Sequence, residues 1–322
     1  MSFLIRLKDN IINSFPARFL VRKSKYIFLP GFNGIPLYDV VDFFIGQIRT
    51  IGMKERAASI AFNFVMAIPP AIIFLFTLIP YLPVSKQFEN ALYILIRDII
   101  PGQEHNSPLV NFLHDFIRKP RTGLLSLGFI LSLYFSSNAV LGIMRSFNKN
   151  YIGFTKRTGM QKRGVALRLT LILFVLVFIS ALLLIARGAV LEYFGVTNHS
   201  IRNTINNIRW VIIVILFFAC VSYIYRFAPA VYKKWKLITP GSILASVLMI
   251  LCTYLFSYWV NHFSHYNQLY GSIGTVLIVM VMIYFNSLVL LIGFELNVSI
   301  STLKEIANER NKNLKNGEKT LL

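Results

Sequence analysis

Residues 236–295, KLITPGSILASVLMILCTYLFSYWVNHFSHYNQLYGSIGTVLIVMVMIYFNSLVLLIGFE, decide the fold. Between Lys236 and Glu295 the stretch contains no Asp, Glu, Lys or Arg. One polar patch, residues 261–271, divides it into two apolar flanks of about 22 to 25 residues, and each is long enough for one helix across ~30 Å of hydrocarbon. The pattern predicts a transmembrane hairpin whose turn is rich in aromatic and amide side chains, as membrane interfaces often are.

The composition of the whole chain is typical of a membrane protein. Of its 322 residues, 56% are hydrophobic and only 14% are charged, whereas a soluble domain carries about a quarter charged residues. The formal net charge of +20 is explained by topology, so nucleic acid is not expected as a partner. Cys220 and Cys252 fall inside apolar runs, which favours packing residues over a disulfide.

The other apolar runs predict four further spans, and the expected fold class is all-α, an integral membrane bundle of six transmembrane helices. A basic arm, residues 1–36, precedes the membrane domain, residues 37–300, and a polar tail, residues 301–322, follows it. The first span contains Pro69-Pro70, which predicts a kink. The six spans are expected at about 57–84, 122–144, 169–186, 210–227, 237–261 and 271–298.

An amphipathic helix is expected ahead of the first span. Apolar residues recur with helical period along residues 37–51, while Asp39, Asp42 and Arg49 take the other face. Two interpretations stay open: the helix lies on the membrane surface, or it packs under the bundle.

The distribution of basic residues predicts the orientation. Of the 33 Lys and Arg residues, 25 lie in residues 1–56, 145–168, 226–239 and 301–322, on one side of the predicted membrane, and eight lie in the alternate loops. Because Lys and Arg collect in cytoplasmic loops, we expect both termini in the cytoplasm.

Five motifs stand in order between residues 35 and 300. They are Arg56-Ala57-Ala58-Ser59-Ile60-Ala61-Phe62; Gly123-Leu124-Leu125-Ser126-Leu127; Tyr225-Arg226-Phe227-Ala228-Pro229 with Trp235 and Pro240-Gly241; Asn261-x-Phe263-x-x-Tyr266-x-x-x-Tyr270-Gly271-Ser272-Ile273-Gly274; and Leu291-Ile292-Gly293-Phe294-Glu295-Leu296-Asn297. Together they resemble the YihY/BrkB membrane-protein family. The resemblance implies a multi-pass protein of the bacterial inner membrane. Members have carried the label ribonuclease BN, and a role in moving lipids or lipid-linked solutes has been suggested for the family.

The residues do not favour a ribonuclease. Metal-dependent hydrolysis needs clustered His and acidic ligands, and the five histidines are scattered. His262 and His265 are close in sequence, but no acid stands near them. We therefore expect no enzyme, no metal site and no cofactor.

Polar residues inside the spans are the informative ones, because such groups are costly in hydrocarbon unless they meet partners or water. Asn63, Asn138 and Asn286 lie in the first, second and sixth predicted spans. They predict either a polar path or hydrogen bonds that hold helices together.

Glu295 is the only acid inside any predicted span. At 1.5 Å per residue it lies near the cytoplasmic boundary, where Arg56 and Arg145 are the candidate partners. A structural ion pair and a titrating gate are both open.

The preferred functional hypothesis is transport or flipping of a lipid or other anionic amphiphile. Membrane lipids, above all anionic ones, are the expected partners. The alternative is a non-transporting envelope scaffold or assembly factor. A homo-oligomer or an envelope partner stays open.

Overall fold

The computed structural model describes residues 22–50, 52–78, 122–148, 151, 153–185, 199–262 and 265–320. Within them the chain is helical, with one isolated bridge between Phe154 and Val231 and no strand. The principal helices are α1 (Leu37–Thr50), α2 (Met53–Leu78), α3 (Thr122–Phe147), α4 (Gly159–Ile185), α5 (His199–Phe227), α6 (Pro240–His262) and α7 (His265–Thr320).

Six of these helices, α2 to α7, are long and apolar enough to cross a membrane. The predicted all-α bundle of six spans, preceded by an amphipathic helix, is confirmed. Pro69 and Pro70 remain inside the continuous helix α2.

Several helix ends differ from the prediction. Helix α4 begins at Gly159 instead of Leu169, because Thr158 and Gln161 form a reciprocal capping box that starts the helix before the apolar run. The polar tail continues the last helix as far as Thr320. The polar patch 261–271 is helical on both sides, with α6 ending at His262 and α7 beginning at His265. Hydropathy marks where a chain is apolar, whereas capping and helix propensity decide where it stops being helical.

Contacts between consecutive spans close into a ring, and side chains of α7 also reach α3 and α5. Each span packs against the next along the chain, and α7 returns to pack against α2. The start of α2 and the second half of α7 meet at one end of the ring, which we call the proximal end; the opposite end is the distal end.

The core of the ring lies at the proximal end. All six spans contribute buried side chains there, among them Ile60, Ile143, Leu169, Tyr225, Ala245 and Phe294. Towards the distal end no described side chain is buried in residues 171–180 of α4, 210–220 of α5, 247–259 of α6 or 276–286 of α7. At this end α2 and α3 are closely packed, with Gly128 of α3 against the backbone of Phe74.

Helix α1 packs under the bundle with one of its faces. Val40 is fully buried against Leu296 and Ile300 of α7. Val41 and Ile45 remain exposed. The structure thus supports the packing interpretation for the Val40 face and leaves a second apolar strip uncovered.

Two loops form a layer across the proximal end. The loop before α4 pairs with the loop after α5, where Thr155 N donates to Ala230 O at 2.6 Å and Tyr232 N donates to Gly153 O at 3.2 Å. Asn148 Oδ1 accepts from Ala230 N at 3.1 Å. These bonds hold the loops in place beneath the ring.

Candidate functional site

A buried ion pair joins the first and last spans at the proximal end. Arg56 Nη1 of α2 donates to Glu295 Oε1 of α7 at 2.7 Å. The Glu295 side chain is 0% exposed and that of Arg56 is 9% exposed. Of the two arginines that the sequence proposed, the structure brings Arg56 to the carboxylate.

Two further groups complete this site, which we call the ion-pair cluster (Arg56, Tyr151, Glu295 and the carbonyl of Ser146). Tyr151 Oη donates to Glu295 Oε1 at 2.8 Å and lies 3.1 Å from Oε2. Arg56 Nη2 donates to the Ser146 carbonyl at the end of α3. The cluster therefore ties α2, α3, the loop before α4 and α7 together. The added hydrogen bonds offset part of the cost of removing both charges from solvent.

Aromatic rings wall the cluster on one side, and Phe294 is at their centre. Its ring stacks on Phe147 at a centroid distance of 3.9 Å and an interplanar angle of 1°. Tyr151, Phe154, Tyr225 and Trp235 surround it with centroids between 5.7 and 6.5 Å away. Such a wall excludes water, and a low local dielectric strengthens the pair and its hydrogen bonds.

The phenol of Tyr151 is held in its neutral form. Burial raises its pKa above the ordinary value, and the negative charge of Glu295 raises it further. Tyr151 therefore remains a hydrogen-bond donor to the carboxylate at every physiological pH.

The crossing of α6 and α7 lies beside the cluster and depends on two glycines. A Cβ on Gly293 would lie 2.5 Å from the backbone oxygen of Gly241, and a Cβ on Gly241 would collide with the backbone oxygen of Gly293. Asn297 clamps the same crossing, because its Oδ1 accepts from Gly241 N at 2.9 Å and its Nδ2 donates to Thr239 Oγ1 at 2.9 Å. The amide thereby satisfies a free donor at the start of α6.

The remaining polar residues predicted for a path do not meet one another. Asn63 Nδ2 donates to the carbonyl of Ser59 in its own helix at 2.7 Å. Asn138 Oδ1 accepts from Arg163 of α4 at 2.5 Å. Asn286 donates to the carbonyl of Met282 at 3.0 Å and lies 3.4 Å from Thr253 of α6.

The contacts of Asn138 and Asn286 with neighbouring helices fit helix-to-helix bonding better than a shared path, and Asn63 bonds within its own helix. Arg145 is exposed, and its Nε donates to the carbonyl of Leu141 at 3.4 Å, so it is not part of the ion-pair cluster.

The side chains of the predicted family-motif turn lie outside the described part of the chain, although most of its backbone is described. Asn261, Tyr266, Tyr270, Gly271 and Gly274 lie in helical backbone at the ends of α6 and α7, and their side chains are outside the description. Residues 79–121 and 186–198 also lie outside it.

Sequence reasoning missed Tyr151 and Asn297. Tyr151 lies in a basic loop where nothing in the local pattern points to a buried carboxylate. Asn297 stands two residues after Glu295 within the last motif, and a polar residue at that depth was the available signal.

No group of three or more His, Cys, Asp or Glu side chains that could hold a metal ion occurs in the part of the chain that the structure describes. The two cysteines, both half-buried, are free.

Comparison with known proteins gives a consistent family assignment. A model of the virulence factor BrkB family matches residues 44–318. The ribonuclease-like protein YfkH of Bacillus subtilis is 26% identical over 80% of this chain and 93% of its own length. A UPF0761 membrane protein of Xanthomonas axonopodis, XAC0937, is 23% identical over 78% of this chain and 58% of its own length. Smlt0865 of Stenotrophomonas maltophilia is 29% identical over 28% of this chain and 22% of its length.

The matches to these two UPF0761 proteins thus span less than two thirds of them. No solved structure matches the chain.

Proposed function

Because the chain belongs to the BrkB family of membrane proteins, we propose that it translocates a lipid or other anionic amphiphile across the membrane that its six candidate spans cross.

The observation that carries the proposal is the contrast between the two ends of the ring. The proximal end is closed by a packed core and the ion-pair cluster. Distal residues of α4, α5, α6 and α7 include no buried side chain among those described. A ring closed at one end and loosely packed at the other has the shape expected of one state in an alternating-access cycle.

The ion-pair cluster is positioned to control closure in this proposal. It links the first span to the last, so the ring cannot open between α2 and α7 at the proximal end unless Arg56 separates from Glu295. An anionic headgroup that reached Arg56 would compete with the carboxylate for the same guanidinium, which binds both groups in the same geometry.

The membrane and the orientation are also part of the proposal: the bacterial inner membrane, with the proximal end on the cytoplasmic side. The charge distribution supports this orientation, since 25 of 33 Lys and Arg residues would be cytoplasmic. A reporter fused after Leu322 should be cytoplasmic, and one inserted near Asn106 should be external. A cytoplasmic Asn106 reporter would contradict the six-span threading.

The proposed function is not enzymatic, although one relative carries a ribonuclease-like name. We expect no RNA cleavage by protein purified to homogeneity. Cleavage that disappears when His262 and His265 are replaced would refute this expectation.

The direct test is lipid movement in proteoliposomes. Purified protein is reconstituted with a trace of fluorescent phosphatidylglycerol, and exchange between leaflets is followed by chemical quenching of the outer leaflet. Protein-dependent exchange supports the proposal. A folded, monodisperse protein that moves no lipid would overturn it and favour the scaffold.

Two variants then assign the role of the carboxylate. Loss of exchange in Glu295→Gln with an unchanged melting temperature would indicate a titrating gate. Retained exchange with a lower melting temperature would indicate a structural pair. Arg145→Ala is the matched control, because Arg145 is exposed and does not contact Glu295.

A further inference from the structure

A small basic cavity lies at the proximal end, away from the ion-pair cluster. It has a volume of about 120 Å³ and lies between α4, the end of α5 and the loop that follows α5. A cavity of this volume holds several water molecules and has room for a phosphate group. None of the described residues that line it is acidic.

Three cations line the cavity, each from a different segment. Arg157 comes from the loop before α4, Arg168 from α4 itself and Lys234 from the loop after α5. Arg168 and Lys234 are exposed, so their charged groups can reach a ligand. Lys234 Nζ lies over the ring of Phe227 at 5.2 Å, which places its charge beside the cavity.

Arg157 differs from Arg168 and Lys234 because its guanidinium is hydrogen-bonded to the backbone. Its guanidinium donates to the carbonyls of Phe227, Ala228 and Pro229 at distances from 2.8 to 3.4 Å. It closes the end of α5 and brings a fixed positive charge into the cavity wall. The cavity is therefore built by the fold, and the two exposed cations flank it.

The other wall of the cavity is apolar. Val165, Leu169 and Ile172 lie on one face of α4, at the spacing of successive helical turns. Val175 and Ile179 continue along this part of the span and are exposed. An apolar track therefore leads from the basic cavity along the membrane-crossing part of α4.

We propose that this cavity binds the phosphate headgroup of an anionic phospholipid, with an acyl chain lying along the apolar face of α4. Basic pockets between transmembrane helices on the cytoplasmic side are suited to such headgroups. The apolar track distinguishes a lipid from free phosphate, which shares the headgroup chemistry but has no tail. The site deepens the proposed function by naming phospholipids as the substrate class, but binding itself does not require translocation.

The test measures binding of phosphatidylglycerol to purified protein in detergent by native mass spectrometry, with the zwitterionic phosphatidylcholine, whose net charge is zero, as the comparison. The site variant is Arg168→Gln with Lys234→Gln, and Arg157 is left intact because it holds the loop. The matched control is Lys156→Gln with Lys233→Gln, which removes the same charge from nearby exposed residues that do not line the cavity.

We expect the affinity for phosphatidylglycerol to fall by about tenfold or more in the site variant and to stay within about twofold of the wild type in the control. Equal losses in both variants would show diffuse attraction to a basic surface and overturn the site. Equal binding of phosphatidylcholine would overturn the role of the cations. Displacement of the lipid by millimolar inorganic phosphate would reassign the cavity to free phosphate.

Binding and translocation are read separately in these experiments. Selective binding without lipid exchange in proteoliposomes would support the cavity and refute the transport proposal. Lipid exchange that is unchanged in the site variant, together with unchanged binding, would refute the cavity and leave transport standing.

Discussion

The proximal and distal ends of the ring are built from the same six helices but are held together differently. At the proximal end, polar pairs, glycine contacts and an aromatic stack bring all six spans into one core. At the distal end, large aliphatic side chains such as Ile130 and Val175 are more than half exposed. The difference shows that apolar composition alone does not pack a membrane bundle.

Apolar composition is not enough because the solvent around the spans is lipid and not water. Lipid tails are as apolar as Leu or Ile, so two helices gain little from burying such side chains against each other. Close backbone approach and interhelical hydrogen bonds are therefore the interactions that hold the helices together. Gly241, Gly293 and Asn297 supply both at the proximal end.

The largest expected effect comes from breaking the ion pair. Glu295→Ala leaves Arg56 buried without its partner, and removing one member of a buried pair costs roughly 3–5 kcal/mol. We expect a large fall in the free energy of unfolding in detergent, with a milder fall for Glu295→Gln because the amide keeps one acceptor.

A double-mutant cycle identifies the partner. Adding Arg56→Met to Glu295→Ala should recover part of the loss, because no unpaired charge then remains in the core. Adding Arg145→Ala should recover nothing. Equal recovery with both arginines would contradict the pairing seen in the structure.

The second prediction compares the two ends within one helix. Ile143 of α3 is fully buried at the proximal end, whereas Ile130 of the same helix is 62% exposed. Ile143→Ala should cost roughly 2–5 kcal/mol through the cavity it leaves. Ile130→Ala should stay within about 0.5 kcal/mol of the wild type. Thermal unfolding in detergent measures both, and similar losses would show that the distal end is packed after all.

The smallest expected effect concerns Tyr151. Tyr151→Phe removes a hydrogen bond to a buried carboxylate, which is worth about 1.5 kcal/mol.

Because the pKa of the Tyr151 phenol is raised in the folded protein, the free energy of unfolding also depends on pH. Below the ordinary value of 10.0 the proton is bound in both states, and above it the unfolded chain releases the proton while the folded protein retains it. The stability contributed by Tyr151 is therefore lost as the pH rises above 10.

Urea unfolding at a series of alkaline pH values checks this pH dependence. The wild type should lose stability more steeply than Tyr151→Phe over that range. Parallel slopes would show that the phenol is not shielded by the cluster.

Local sequence determined the spans and their number. A run of apolar residues long enough to cross the hydrocarbon of a bilayer is costly to expose to water. Inside the bilayer its backbone must be helical. The same argument marked Glu295, because an acid inside a span needs a partner. Helix ends were less accurate, as at Gly159 and His265, because capping and propensity extend helices beyond the apolar run.

Only the tertiary structure decided which partners meet. Spacing at 1.5 Å per residue gives the depth of Arg56 and Arg145, and both lie near the level of Glu295. Depth does not say which way a helix face turns, and the closed ring of spans turns Arg56 towards α7 while Arg145 remains exposed. Contacts between residues that are distant in the chain depend on how the helices pack. The same reason therefore explains why the contacts of Tyr151, Arg157 and Asn297 could not be predicted from the sequence.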